Sequence, residues 1–274
     1  MTRVFTLAVA ALALPAVAHA QTPELSFAWT ATYGGTVTDN DALDSGMDPF
    51  EIVFDQGSVA SDALYNYAQS GSLSTELPDQ FGRYRTDVIA AGGSQFGTFH
   101  GVITGTNDVL QHVGGLTSVA PGEDPALDAA LDDVVDGLRQ ATTFLASRHP
   151  DGIVVIWTIG DLTYAPLFDT MAADQVDTMR QHLERLNDDL WALNGLPNVV
   201  VVDMYALMQD WEAHPPMLRG VTVTIGELFV DDMHPDALAN ALSANEIMRR
   251  LDVELGTELP QLTEDELADI AGIP

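Results

Sequence analysis

The residues best suited to chemistry lie at 228–237, where the sequence reads LFVDDMHPDA. Asp231 precedes His234 by three positions, a spacing that lets a tight turn bring the carboxylate back to one ring nitrogen of the histidine. A carboxylate held there fixes the tautomer and leaves the second nitrogen to take a proton, as a general base must. Pro235 suits the first turn of a following helix and stiffens the junction. Taken alone, the pattern is also that of an acidic loop with one surface histidine, and the groups able to face it decide between the two.

Three other stretches carry suitable groups. Residues 34–40, GGTVTDN, offer a hydroxyl at Thr36; residues 66–71, NYAQSG, end at Gly71; residues 105–108, GTND, offer the amide of Asn107. Other polar candidates read as structural. His100 lies within an apolar run and reads as a packed histidine, His149 and His214 precede prolines in loops, and Asp161 reads as a turn residue. Asp39, Asp41, Asp44 and Asp48 lack the spacing of an EF-hand and read as a solvated acidic loop. No His-Glu pair or Asp cluster has transition-metal spacing, so no metal is expected.

The elements that must position these residues follow from hydrophobic periodicity. Strands are expected at 25–33, 63–68, 97–104, 152–159 and 198–205; the last two are apolar throughout, as when both faces of a strand are covered. Helices are expected from about Ser74, at 125–147, at 173–193 and at 235–251. Residues 49–59 fit either helix or strand, and the tail from Glu254 fits either a docking helix or a frayed end. Alternation of strand and helix predicts a parallel sheet between helical layers. Sites in such sheets form at the carboxyl ends of strands, which gathers the ends at 34–36, 71, 105–108 and 231–234 at one edge.

Composition narrows the class. The 274 residues contain no cysteine, which excludes disulfides, thiolate metal sites and a cysteine nucleophile. Formal net charge is -31 and no lysine is present, a balance that repels nucleic acid and anionic membrane surfaces. Residues 1–20 read as a signal peptide: Arg3, an apolar run over 4–17, and Ala18-His19-Ala20 as the cleavage site. The mature chain would begin at Gln21 as one exported domain over 21–274; an uncleaved amino-terminal anchor is the competing reading.

The order and spacing of Asn66-Tyr-Ala-Gln-Ser-Gly71, Gly105-Thr-Asn107-Asp and Asp231-x-x-His234-Pro resemble the second, third and fifth blocks of the GDSL/SGNH hydrolase family. The resemblance spans residues 25–251. It implies a three-layer α/β/α sandwich with a flavodoxin-like parallel sheet, and hydrolysis of esters or acyl groups without a cofactor. It also implies His234 as general base, Asp231 as its orienting partner, and the Gly71 N–H and Asn107 amide as oxyanion donors. Preorganised neutral donors suit acyl transfer because negative charge develops on the carbonyl oxygen.

The departure falls on the nucleophile. Where the family has Gly-Asp-Ser, this sequence has Gly34-Gly35-Thr36. Threonine keeps a hydroxyl, though its extra methyl stiffens χ1. Ser58 matches the block better in its neighbours but lies 13 residues before Gly71; Thr36 lies 35 before it, enough for a βαβ unit. Thr36 is therefore the expected nucleophile and Ser58 the alternative. The same departure leaves open an impaired relative that binds a ligand or glycan in the cleft.

Overall fold

The computed structural model describes residues 25–35, 47–55, 59–61, 64–93 and 98–274. The expected signal peptide, Thr36, Ser58 and the acidic residues Asp39, Asp41 and Asp44 lie outside the described residues.

The strands are β1 (Leu25–Phe27), β2 (Trp29–Gly34), β3 (Val59–Ser61), β4 (Leu64–Asn66), β5 (Thr98–Ile103), β6 (Ile153–Trp157), β7 (Val199–Val202), β8 (Met217–Leu218) and β9 (Val221–Thr222). The helices are α1 (Pro49–Asp55), α2 (Leu77–Ala90), α3 (Thr106–Leu110), α4 (Val113–Leu116), α5 (Pro125–Arg148), α6 (Ala173–Trp191), α7 (Met204–Ala213), α8 (Ala237–Leu255) and α9 (Glu264–Ile270). A five-stranded parallel sheet runs β4-β2-β5-β6-β7, with Trp29 to Gly34 of β2 in register with Thr98 to Ile103 of β5. The expected α/β sandwich is what forms.

Strand alternation divides the core. Val154, Ile156, Val199 and Val201 face the layer of α2, α5 and α6, whereas Ile153, Val155, Val200 and Val202 face α1, α7 and α8. Both faces are apolar because both are covered, which explains the unbroken valine run. Asp124 starts α5 by accepting the N–H groups of Ala126 and Leu127, with Pro125 in the first turn.

Several expected boundaries move. The run 25–33 is two strands: β1 pairs with β3 outside the main sheet and β2 enters it. Residues 49–59 begin as α1 because Asp48 caps it, accepting from Phe50 and Glu51. Asp48 thus has a structural role rather than that of a solvated loop residue. The run 198–205 stops early, since Asp203 accepts from Ala206 and turns the chain into α7. Residues 225–228 form a single 3-10 turn, so no strand leads into Asp231; the Thr224 N–H and hydroxyl both donate to Glu227 Oε2 and favour the turn. Pro235 lies outside α8, bridged to Phe229, and Asp236 is the cap that accepts from Ala239. The tail docks as α9, with Leu267 and Ala268 buried against the α8 layer.

Ile156 has no exposed surface and Ile89 is 58% exposed, so truncation should separate them. In urea melts Ile156→Ala is expected to lose about 2–5 kcal/mol, while Ile89→Ala stays within about 0.5 kcal/mol.

Candidate functional site

The carboxyl end of β2 is held by a compact set of hydrogen bonds. Gly34 donates its N–H to Gln80 Oε1 at 2.8 Å, and its carbonyl accepts from Ser72 Oγ at 2.6 Å, Gln80 Nε2 at 3.1 Å and the Gln69 N–H at 3.0 Å. Gly35 donates to the Ile103 carbonyl at 3.0 Å, so the chain crosses directly over the end of β5. A Cβ on Gly34, where φ is 129°, would lie 1.7 Å from the Ile103 oxygen; no other residue type fits.

Asn107 sits in the first turn of α3, immediately after β5. Its Nδ2 donates to the Ser72 carbonyl at 3.0 Å. A Cβ on Gly35 would stand 3.0 Å from that same nitrogen, so the Asn107 amide lies beside the last described residue before Thr36. Asp108 points the other way: its carboxylate accepts from the Ser74 N–H at 2.9 Å and the Ser74 hydroxyl at 2.7 Å, joining the end of β5 to the loop after Gly71. Gly71 has φ 77° and is exposed, and a Cβ there would meet nothing within 4 Å. Its glycine answers a backbone conformation, not crowding by its described neighbours.

The histidine loop is equally ordered. Asp231 Oδ1 accepts the N–H groups of Met233 at 2.8 Å and His234 at 2.7 Å, and Oδ2 lies 2.8 Å from His234 Nδ1. An ionised carboxylate there makes Nδ1 the donor, which leaves Nε2 as the basic nitrogen of the neutral ring. Val230 donates to the His234 carbonyl and Leu167 to that of Asp232, pinning the loop from within and from across the site. Partial desolvation pushes the Asp231 carboxyl up, but the His234 and Met233 N–H groups and the His234 ring outweigh it and hold the carboxyl below its ordinary value.

One cleft is lined by sequence neighbours of these groups, not by Gly71, Asn107, Asp231 or His234 themselves. Thr106, which precedes Asn107, and Met233 and Pro235, which flank His234, all line it. The other histidines serve the fold. His100 is buried with Nδ1 3.1 Å from the Tyr33 hydroxyl; burial first, then neighbouring His149, hold its pKa well below the usual value. His149 lies in the loop after α5, as expected, but is buried there, its ring centroid 4.5 Å from that of His100. His214 is exposed and lies 2.9 Å from Asp210. Asp161 is wholly buried, caps a turn and pairs with Arg180 at 2.9 Å. Among the described residues no cluster of three or more His, Asp or Glu could hold a metal ion.

No family model and no curated protein sequence matches this chain. Solved structures do. A member of the lipolytic protein G-D-S-L family from Veillonella parvula is 20% identical, with a TM-score of 0.52 over 84% of this chain and 99% of its own. Axe2, an acetylxylan esterase from Geobacillus stearothermophilus, is 16% identical, with a TM-score of 0.55 over 87% of this chain and 98% of its own. LAE5, an alpha/beta hydrolase enzyme from the metagenome of Lake Arreo, is 13% identical, with a TM-score of 0.53 over 84% and 97%. The fold is that of the GDSL/SGNH hydrolases. Within this SGNH fold, Ser72, Ser74 and Gln80 hold the strand ends together, a role their sequence context does not announce for Ser72 or Ser74. Gln80 was signalled: it is a polar residue on the apolar face formed by Leu77, Phe81, Tyr84 and Val88.

Two outcomes follow. Gly34→Ala should cost well over about 2 kcal/mol in a thermal melt, whereas Gly71→Ala, with open space around it, should cost about 1 kcal/mol. Because folded Asp231 titrates below its unfolded value of about 3.9, its hold on the loop is complete above that pH and is lost as pH falls through the lower folded value. A carboxyl 13C titration should give a midpoint below about 3.9; a midpoint at or above it would show that the backbone donors do not stabilise the anion.

Proposed function

We propose that this chain is an exported ester hydrolase. Thr36 is its nucleophile, His234 its general base and Asp231 the group that orients the base; the Gly71 N–H and the Asn107 amide are the oxyanion donors. The observation that carries the reading is the shared cleft. The neighbours of Asn107 and His234 line it together, and Gly35, one residue before Thr36, abuts the Asn107 amide.

The chemistry follows from these groups. His234 Nε2 takes the proton as Thr36 Oγ1 adds to the ester carbonyl, and the Asn107 and Gly71 donors receive the charge that develops on its oxygen. The intermediate collapses, the alcohol leaves with the proton carried by His234, and water attacks the acyl-threonine by the same route. None of these steps calls for a cofactor. Register supports Thr36 over Ser58. Val59, next to Ser58, pairs with Leu25 at the amino end of the strands, whereas Gly34 ends β2. The export signal at 1–20 fits a chain whose described residues include no helix long and apolar enough to cross a membrane.

A second reading rests on the Gly35-Thr36 departure: a hydrolase fold that retains the cleft only to bind a ligand or glycan. Turnover of p-nitrophenyl esters by the purified mature chain separates the two. On the hydrolase reading, Thr36→Ala abolishes turnover, Thr36→Ser retains or raises it, and Ser58→Ala leaves it unchanged. His234→Ala should lower kcat by roughly 10²–10⁴-fold and Asn107→Ala by roughly 10²–10³-fold. A silent parent with an active Thr36→Ser variant would establish the binding module. Activity that survives Thr36→Ala and vanishes in Ser58→Ala would move the nucleophile.

A further inference from the structure

Resting on the hydrolase reading, we infer that the apolar cleft beside His234 is an acyl pocket that selects short chains of about four carbons, with Met208 as its length gauge. The cleft lies at the carboxyl ends of β5 and β6, under the loop that carries His234. Its walls are chiefly side chains of thioether, indole and aliphatic type: Met204, Met208 and Trp211 from α7, Trp157 from β6, Ile225 and Leu228 from the turn before the histidine loop.

Two arguments assign it to the acyl side. Met233 and Pro235 bracket the base and Thr106 adjoins Asn107, so the cleft begins where the carbonyl must sit. The departing alcohol has to take up a proton and return to water, whereas the acyl group stays bound through both halves of the reaction. An apolar wall therefore benefits the acyl chain and offers nothing to the alcohol. Size sets the length. The cleft holds about 100 Å³, and since a cavity of about 150 Å³ takes benzene with its six carbons, this one takes about four. An acetyl group would leave most of that space without contacts, and an eight-carbon chain exceeds it.

Met208 has a particular place in this wall. A Cβ on Gly160, at the end of β6, would come within 2.6 Å of the Met208 sulfur. The two residues are packed against each other, and both line the cleft. Gly160 is outside the left-handed region, so alanine suits its backbone and the added methyl acts through space alone. Methionine is half-buried here and unbranched, and its truncation enlarges the cleft without opening the core.

The test is a chain-length series of p-nitrophenyl acetate, butyrate, hexanoate and octanoate on the parent, Met208→Ala and Gly160→Ala. For the parent, kcat/KM should peak at butyrate, with each misfitting methylene worth roughly tenfold or more. Met208→Ala should move the peak to hexanoate or beyond, and Gly160→Ala should move it to acetate. A parent that peaks at acetate or octanoate, or three identical profiles, overturns the inference while leaving the hydrolase reading intact. If the parent turns over none of these esters, the hydrolase reading fails by itself. The pocket is then read in protein labelled with 13C-methyl methionine. Butyramide should shift the Met204, Met208 and Met233 signals and octanamide should not, with Met208→Ala admitting the longer amide. Absence of any butyramide shift at those methyls would sink the pocket as well.

Discussion

The carbonyl of Gly34 is the hub that ties the end of β2 to the segments around it. It accepts from Ser72, Gln69 and Gln80, while the next N–H reaches across to β5. Three chain segments far apart in sequence are thereby fixed at one point, and the Asn107 amide is held between two of them. Each bond alone is a modest net contribution, but the group is buried and mutually satisfied, so losing one member strands the others. Only glycine can occupy position 34, because the approach of β2 to the Ile103 carbonyl leaves no room for a methyl.

The two halves of the proposed site are made differently. The donor half grows out of the sheet itself, at the ends of β2 and β5. The base half is a loop stitched by its own backbone, with Asp231 acting on the peptide N–H groups of residues 233 and 234 as well as on the ring. The carboxylate therefore shapes the turn and orients the imidazole in one act, and its depressed pKa keeps it charged to do both.

What could be read from the sequence follows from what each residue encodes locally. Valine runs at 153–156 and 199–202 announce strands covered on both faces, and they form β6 and β7 in one sheet. The Asp231-His234 pair was legible because three residues of turn decide its geometry. The Gly34 hub was not: Ser72 and Gln80 are ordinary residues until the sheet brings them to the same carbonyl. Likewise the end at 231–234 was expected to follow a strand, but the two bonds that Thr224 donates to Glu227 help close 225–228 into a turn. The burial of His149 in its loop was not legible, because nothing nearby in sequence reveals that β5 carries His100 to its side.

The histidine loop touches no strand of the main sheet as a ladder; a lone bridge between Phe229 and Pro235 and the bond from Leu167 to the Asp232 carbonyl hold it in place. Such a segment opens at a smaller free energy than the β2, β5 and β6 ladders. The imidazole and the amide that would share one reaction therefore belong to separate cooperative units of the protein. Mild heating or dilute denaturant is expected to release the first while the second stays in native register.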